Sequence, residues 1–212
     1  MTRDTKKSML RNSRVLMPYL LLVAALAGGF LWYQSEQAPR LGRVVSTGSI
    51  DVGGPFKLTD HLGQPRTDAD FRGRYMLIYF GFTFCPDICP TTLAVVAEAL
   101  DRLGADAKKI VPVLITVDPQ RDTPAVLADY VKAFGPTFVG LTGSADQIKD
   151  VEKKFRVYAV KRPTGESGGK DGTYGVDHSN ILYLVGPDGK VVHFYTESIS
   201  PDDLAKDLRS KI

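Results

Sequence analysis

Apolar positions along this chain fall into three patterns, and each predicts a different element. Residues 15–33 read VLMPYLLLVAALAGGFLWY, 19 positions without a charge. At 1.5 Å per residue that is roughly 28 Å of helix, close to the hydrocarbon thickness of a bilayer. Shorter, near-continuous apolar runs at 75–80 and 110–117 have the character of strands covered on both faces. After the first of these, Leu93, Val96, Ala97, Leu100 and Leu103 recur at helical spacing across 90–103. Thr123-Pro124 supplies a cap and a first-turn proline for a helix to about 134, and Ser144 caps another to about 155. Short strands are expected at 56–59, 138–141, 180–185 and 191–195, the last two flanking the turn Gly186-Pro187-Asp188-Gly189-Lys190. Ser200-Pro201 followed by Asp202 and Asp203 opens a closing helix, with carboxylates at its positive end. βαβ units followed by an antiparallel hairpin and a last helix describe an α/β three-layer sandwich, the layout of a thioredoxin-like domain.

Charge changes the reading of the N-terminal third. The 212 residues carry 27 Lys or Arg and 24 Asp or Glu, a net charge of +3. Five of the basic residues and only one acidic residue lie in 1–14, which leaves 22 basic and 23 acidic groups for the other 198 positions. The body is therefore not basic, and a nucleic-acid footprint is excluded. By the positive-inside rule the charged flank 1–14 stays in the cytoplasm and everything after the span lies outside. Ala25-Leu26-Ala27 has the small residues of a signal-peptide cleavage site, yet apolar residues continue through Tyr33, too far beyond it. The expected organisation is a cytoplasmic flank at 1–14, a retained single-pass anchor at 15–33, a tether at 34–50 and one exported domain at 51–212. With 43% apolar residues and 24% charged, disordered and low-complexity classes are also excluded.

The chemistry is concentrated in two cysteines and one histidine. Cys85 and Cys89, the chain's only cysteines, follow the first central strand and open its helix. This is the carboxyl edge of the sheet, where open α/β folds place ligands and where a helix start favours thiolate. A disulfide across so short a loop removes little unfolded-state entropy, so a mere staple is the weakest reading. The pair suits either dithiol–disulfide cycling or a soft metal such as Cu(I). Of the three histidines, His61 is expected to be solvated in a polar turn, and His193 is read as an ordinary strand residue. His178 ends a loop at 163–177 containing five glycines, immediately before a strand that topology brings to the cysteine edge. Cys2His leaves a site open for a metal that is handed on, and it lacks the fourth ligand of a structural zinc site. Asp118 and Asp122 are read as local helix-capping and Arg121-pairing groups, and Asp177 as a residue able to orient a neighbouring ligand.

Three blocks carry a resemblance. GFTFCPDICPTTL at 81–93 resembles the signature of the Sco/SenC family, TVDPQRDTP at 116–124 resembles its second block, and VDHS at 176–179 with LVGPDG at 184–189 its third. The resemblance implies a membrane-tethered, thioredoxin-like copper protein that helps assemble the binuclear copper centre of cytochrome c oxidase. It places Cu(I) or Cu(II) on Cys85, Cys89 and His178, and makes the oxidase's copper-centre subunit the partner, with another copper chaperone or a thiol reductant upstream. The implied location is an inner membrane, with the domain facing the periplasm, or the intermembrane space if mitochondrial. The short charged flank, with no long transit peptide before the span, favours the bacterial case. The non-enzymatic metallochaperone is the expected function, and a thiol–disulfide oxidoreductase using Cys85 and Cys89 is the alternative. Reductases of that fold usually set a Pro at the strand start facing the cysteines. Here that neighbourhood reads Asp177-His178-Ser179-Asn180, which favours metal binding.

Overall fold

Residues 52–163, 174–196 and 198–212, with the isolated helical position Leu26, are described in this computed structural model. The chain divides into two units, 1–41 and 42–212, and every element below belongs to the second. The expected flank, anchor and tether lie outside the described residues apart from Leu26. Among the described residues no helix is long and apolar enough to cross a membrane.

The order is β1 (Lys57–Asp60), β2 (Pro65–Thr67), β3 (Tyr75–Gly81), α1 (Ile88–Leu103), β4 (Ile110–Thr116), α2 (Pro124–Lys132), β5 (Val139–Thr142) and α3 (Ala145–Phe155). Then follow β6 (Ala159–Pro163), β7 (Tyr174–His178), β8 (Ile181–Val185), β9 (Val191–Thr196) and α4 (Pro201–Lys211). Seven strands form one sheet in the order β2-β1-β5-β4-β3-β8-β9, and β6 pairs only with β7. The central trio β3, β4 and β5 is parallel, and β8 runs antiparallel to β3.

Successive residues of β3 show why the architecture has three layers. Tyr79 points to α1, where its hydroxyl reaches Cys89, while Phe80 points to the opposite face and packs its ring 5.4 Å from Phe155 of α3. A strand alternates sides, so helices cover both faces. All seven residues of β4 are buried, as its unbroken apolar run requires. The predicted caps form: Thr123 Oγ1 accepts from Val126 N, Ser144 Oγ from Gln147 N, and Ser200 Oγ from Asp203 N.

Three expectations need correction. The segment read as a loop at 163–177 begins and ends in strand: Pro163 closes β6 and Tyr174–His178 form β7, the two pairing Ala159 with His178 and Pro163 with Tyr174. β6 is exposed beyond Ala159, and in β7 Val176 alone is buried, so neither shows the apolar alternation that a half-buried strand displays. His61 is not simply solvated, because its Nδ1 accepts from the Gly140 amide at 3.1 Å and ties the β1–β2 turn to β5. Finally, α1 begins at Ile88 rather than at residue 90, which places Cys89 inside its first turn and Pro90 third, where a missing N–H costs no helical bond.

Candidate metal centre

Strand register explains how two cysteines and a histidine 89 positions beyond the second of them meet. In the β3–β8 pair, Met76 faces Val185 and Tyr79 faces Leu182. Extending that register two places sets Asn180 beside Gly81, so the start of β8 lies at the end of β3. The residue leading into β8 therefore arrives at the carboxyl edge from which the Cys85 loop departs. Ligand atoms of Cys85, Cys89 and His178 lie within 4.8 Å of one another. Among the described residues they are the one group of three such side chains arranged in this way.

Each member is held differently. Cys89 is fully buried, and its Sγ lies 3.3 Å from His178 Nε2. Cys85 is half-buried, and its Sγ accepts the Cys89 backbone N–H at 3.4 Å, occupying the place of a side-chain cap on the first turn of α1. Both thiols are free. His178 stands between the Tyr79 and Phe82 rings, edge-on to both, with its Nδ1 3.1 Å from the Ser179 carbonyl. A carbonyl only accepts, so Nδ1 carries the proton and Nε2 presents its lone pair to the sulfurs. Burial lowers the His178 pKa against the opposing pull of the Ser179 carbonyl and Asp177, keeping the imidazole neutral and ligand-competent.

The expectation that the helix start would favour thiolate fails for Cys89. Burial pushes this thiol up to about 12, the nearby Cys85 adds to the rise, and the Phe82 backbone offsets it only in part. An ion at this position would replace the thiol proton, so binding is coupled to proton release.

Gly81 makes room for this packing. A Cβ there would meet Tyr79 Cε1 at 2.7 Å and Cys89 Sγ at 3.0 Å, both closer than van der Waals contact. Gly81→Ala is therefore expected to cost about 1–3 kcal/mol of stability, as overpacked cores do. Denaturation in urea measures that loss. The rate of Cys89 modification by a thiol reagent should rise as the sulfur is displaced.

Of the two local roles expected here, a helix cap from Asp122 does not form, whereas the Arg121 pairing does form, on Asp118. Asp122 is fully buried and accepts from Thr83 N (3.1 Å), Thr83 Oγ1 (2.6 Å) and Thr116 Oγ1 (2.6 Å). It pins the loop before Cys85 to the end of β4, and the cap role belongs to Thr123 alone. Asp118, also fully buried, does pair with Arg121 as expected, but it also accepts from Tyr174 Oη at 2.9 Å and faces Lys161 Nζ at 3.5 Å. Arg121 Nη1 donates to the Tyr174 carbonyl, and its guanidinium lies over the Tyr174 and Phe84 rings at 3.8 and 4.7 Å. These contacts fasten the β6–β7 ribbon, and with it His178, to the cysteine side. Asp177 pairs across the ribbon with Arg162 at 2.6 Å. Its carboxylate is thus engaged there, and the group that orients His178 is the Ser179 carbonyl. Local spacing signals the Arg121 partner of Asp118 but not the long-range partners Thr83 and Tyr174.

Comparison with known proteins places this geometry. The SCO1/SenC family profile matches residues 45–212. The mitochondrial SCO2 homolog of Mus musculus is 42% identical over 202 residues, covering 91% of this chain and 78% of its own. ScoI of Bradyrhizobium japonicum, solved with copper bound, superposes with a TM-score of 0.70 at 42% identity, covering 76% of this chain and 99% of that one. BsSco, described as having a disulfide switch and as a member of the Sco family of cytochrome c oxidase assembly proteins, superposes at 0.60 and 28% identity, covering 77% and 95%. With most of its length matched by the family profile, and a thioredoxin-like fold shared with solved Sco proteins at this identity, the chain belongs to the SCO1/SenC family.

Proposed function

We propose that this protein is a copper metallochaperone that holds one copper ion, Cu(I) or Cu(II), through Cys85, Cys89 and His178 and serves assembly of the binuclear copper centre of cytochrome c oxidase. The observation that carries the reading is the convergence of two sulfurs and a neutral imidazole nitrogen within 4.8 Å at the sheet's carboxyl edge. Soft thiolates suit Cu(I), and an added imidazole suits the more demanding Cu(II). Three ligands leave a coordination position open, so an incoming thiolate or imidazole of an acceptor can displace them one at a time. The acceptor in this reading is the oxidase's copper-centre subunit, and another copper chaperone or a thiol reductant acts upstream. Residues 15–33 would anchor the domain to an inner membrane, with the site on the periplasmic side or, in a mitochondrion, facing the intermembrane space. The copper bound to the Bradyrhizobium relative and the oxidase-assembly description of BsSco support the assignment.

Copper loading and disulfide formation exclude each other here. Joining the two sulfurs releases two protons and passes two electrons to a disulfide acceptor, and it removes both thiolate donors. The second reading, a thiol–disulfide oxidoreductase, draws on the half-buried Cys85 and the disulfide switch of BsSco. Against it stands Cys89, fully buried and with a pKa pushed up to about 12.

The test is copper titration of the reduced full chain beside His178→Ala, in competition with chelators. The variant is expected to bind Cu(II) at least about a hundredfold more weakly, as loss of one of a few ligands implies, with altered absorption. Cu(I) affinity, carried by the thiolates, should fall less. Unchanged Cu(II) affinity and spectrum would show the ligand set to be wrong. If neither protein binds copper while both reduce a disulfide substrate, the oxidoreductase reading replaces the first.

A further inference from the structure

Tyr79 sits in the middle of an apolar strand and is fully buried, so its ring reads as core. Its hydroxyl is the part that needs an explanation, because a buried phenol without a partner is costly. The oxygen lies 3.7 Å from Cys89 Sγ, donating to it. The absent side chain at Gly81, two residues along the same face of β3, is what lets the phenol and the sulfur approach. Cys89 Sγ is thereby enclosed by the Tyr79 hydroxyl and by His178 Nε2 at 3.3 Å.

We infer that Tyr79 is a positioning residue for the metal centre: its hydroxyl donates a hydrogen bond to Cys89 Sγ, sets the donor strength of that sulfur and biases the cysteine pair towards its reduced, metal-ready form. A sulfur accepting a hydrogen bond gives up less electron density to a bound ion, and such bonds tune potentials at copper–thiolate sites. In the metal-free protein the same bond stabilises the reduced Cys89, whereas the disulfide sulfur is a poorer acceptor. Converting the dithiol to the disulfide, with two electrons and two protons passing to an external dithiol–disulfide couple, is therefore harder with Tyr79 in place. The inference rests on the copper reading only in its second readout.

The experiment compares the full chain with Tyr79→Phe, which keeps the ring and removes the hydroxyl. Tyr183→Phe serves as control, since that ring is buried among Phe80, Phe155 and Phe194 and takes no part in the centre. The first readout is equilibration of the metal-free proteins with a glutathione redox buffer. Tyr79→Phe should favour the Cys85–Cys89 disulfide about three- to tenfold, a potential lower by up to about 30 mV for this two-electron couple. The second readout is the sulfur-to-Cu(II) charge-transfer band, which should move to lower energy in Tyr79→Phe because its sulfur is the stronger donor. Tyr183→Phe should move neither, and thermal melts check that all three proteins are folded. A folded Tyr79→Phe with the parental equilibrium and band overturns the inference and leaves the copper reading standing. A shifted equilibrium in a protein that takes up no copper keeps the sulfur contact and overturns the copper reading instead.

Discussion

Cys89→Ser is expected to weaken Cu(I) loading by at least about a hundredfold while leaving the fold in place. Apparent binding energies of about 10–16 kcal/mol for four-ligand structural zinc sites correspond to about 3 kcal/mol per ligand, or about two powers of ten. The loss should be larger for Cu(I), because the exchange replaces a soft thiolate by an alcohol that does not ionise in this pH range. Serine is close in shape to cysteine, and its oxygen would stand between the Tyr79 hydroxyl and His178 Nε2, both of which already contact the sulfur. The buried position therefore keeps hydrogen-bond partners, and the loss of copper affinity is separable from loss of structure. Competition with a Cu(I) chelator measures the affinity, and circular dichroism with a urea melt measures the fold. Parental affinity in a folded Cys89→Ser protein would remove Cys89 from the ligand set. Cys85→Ser should weaken loading similarly, with an added small cost at the start of α1, where the Cys85 sulfur accepts the Cys89 N–H.

The parts legible in the sequence were those that depend on continuous burial or local capping. The runs that became β3 and β4 are apolar because both faces of each strand are covered, and that demand acts on every residue in turn. The cysteine pair could be placed at a strand-to-helix turn for the same reason. His178 was brought to that edge by topology, and the β3–β8 register supplies the geometry behind it. The ribbon β6–β7 stays hidden because β6 is largely solvent-facing and β7 buries only Val176, so neither carries a hydrophobic period. Asp122 reads as a cap because Asp-Thr-Pro resembles a helix start, and Asp118 shows only its local partner Arg121, whereas Thr83 and Tyr174, which also engage these carboxylates, lie 39 and 56 positions away. Tyr79 was absorbed into an apolar run, since a hydroxyl that finds a sulfur across a helix leaves no mark on hydropathy.

Separation of the ribbon from the main sheet has a mechanical consequence. The two cysteines hang from β3 and α1, which are built into the core, whereas His178 ends a strand that pairs only with β6. Distance between the sulfurs and the imidazole is thus set on one side by the lead-in to β8 and on the other by side-chain fastenings of the ribbon: Asp118 to Tyr174 and Lys161, and Arg121 to the Tyr174 carbonyl. Contacts of that kind open locally at lower cost than a sheet ladder. An arrangement in which the nitrogen ligand separates from the sulfur pair suits a site that must both retain an ion and release it.

Asp122→Ala is expected to produce the largest loss of stability among single changes around the centre. The carboxylate takes three hydrogen bonds, two from Thr83 and one from Thr116, and is fully buried. Alanine leaves those donors facing a void. The two hydroxyls can turn towards other acceptors, but the Thr83 backbone N–H is fixed by the chain. Stranded buried donors cost about 1–3 kcal/mol each, so a total of about 2–4 kcal/mol is expected. For a chain of this size that lowers the melting temperature by roughly 4–16 °C. Burial raises the Asp122 pKa, with the nearby Asp118 adding to the rise, while the three hydrogen bonds oppose it. The folded state thus holds the Asp122 proton more tightly than the unfolded chain does. Its contribution is fully present below the unfolded value and declines as pH rises through the folded one, so the deficit of Asp122→Ala relative to the parent should be larger in acid than at neutral pH. Denaturation at both pH values measures this, and an equal deficit at the two would show that the charge state of Asp122 plays no part. The same substitution frees the loop that carries Thr83, Phe84 and Cys85, so Cys85 should become more reactive towards thiol reagents and copper affinity should fall although no ligand has been changed. Asp122→Asn, which keeps the shape and one acceptor oxygen, should recover part of the stability and part of the affinity together. Recovery of one without the other would show that the pinned loop is not what couples the fold to the centre.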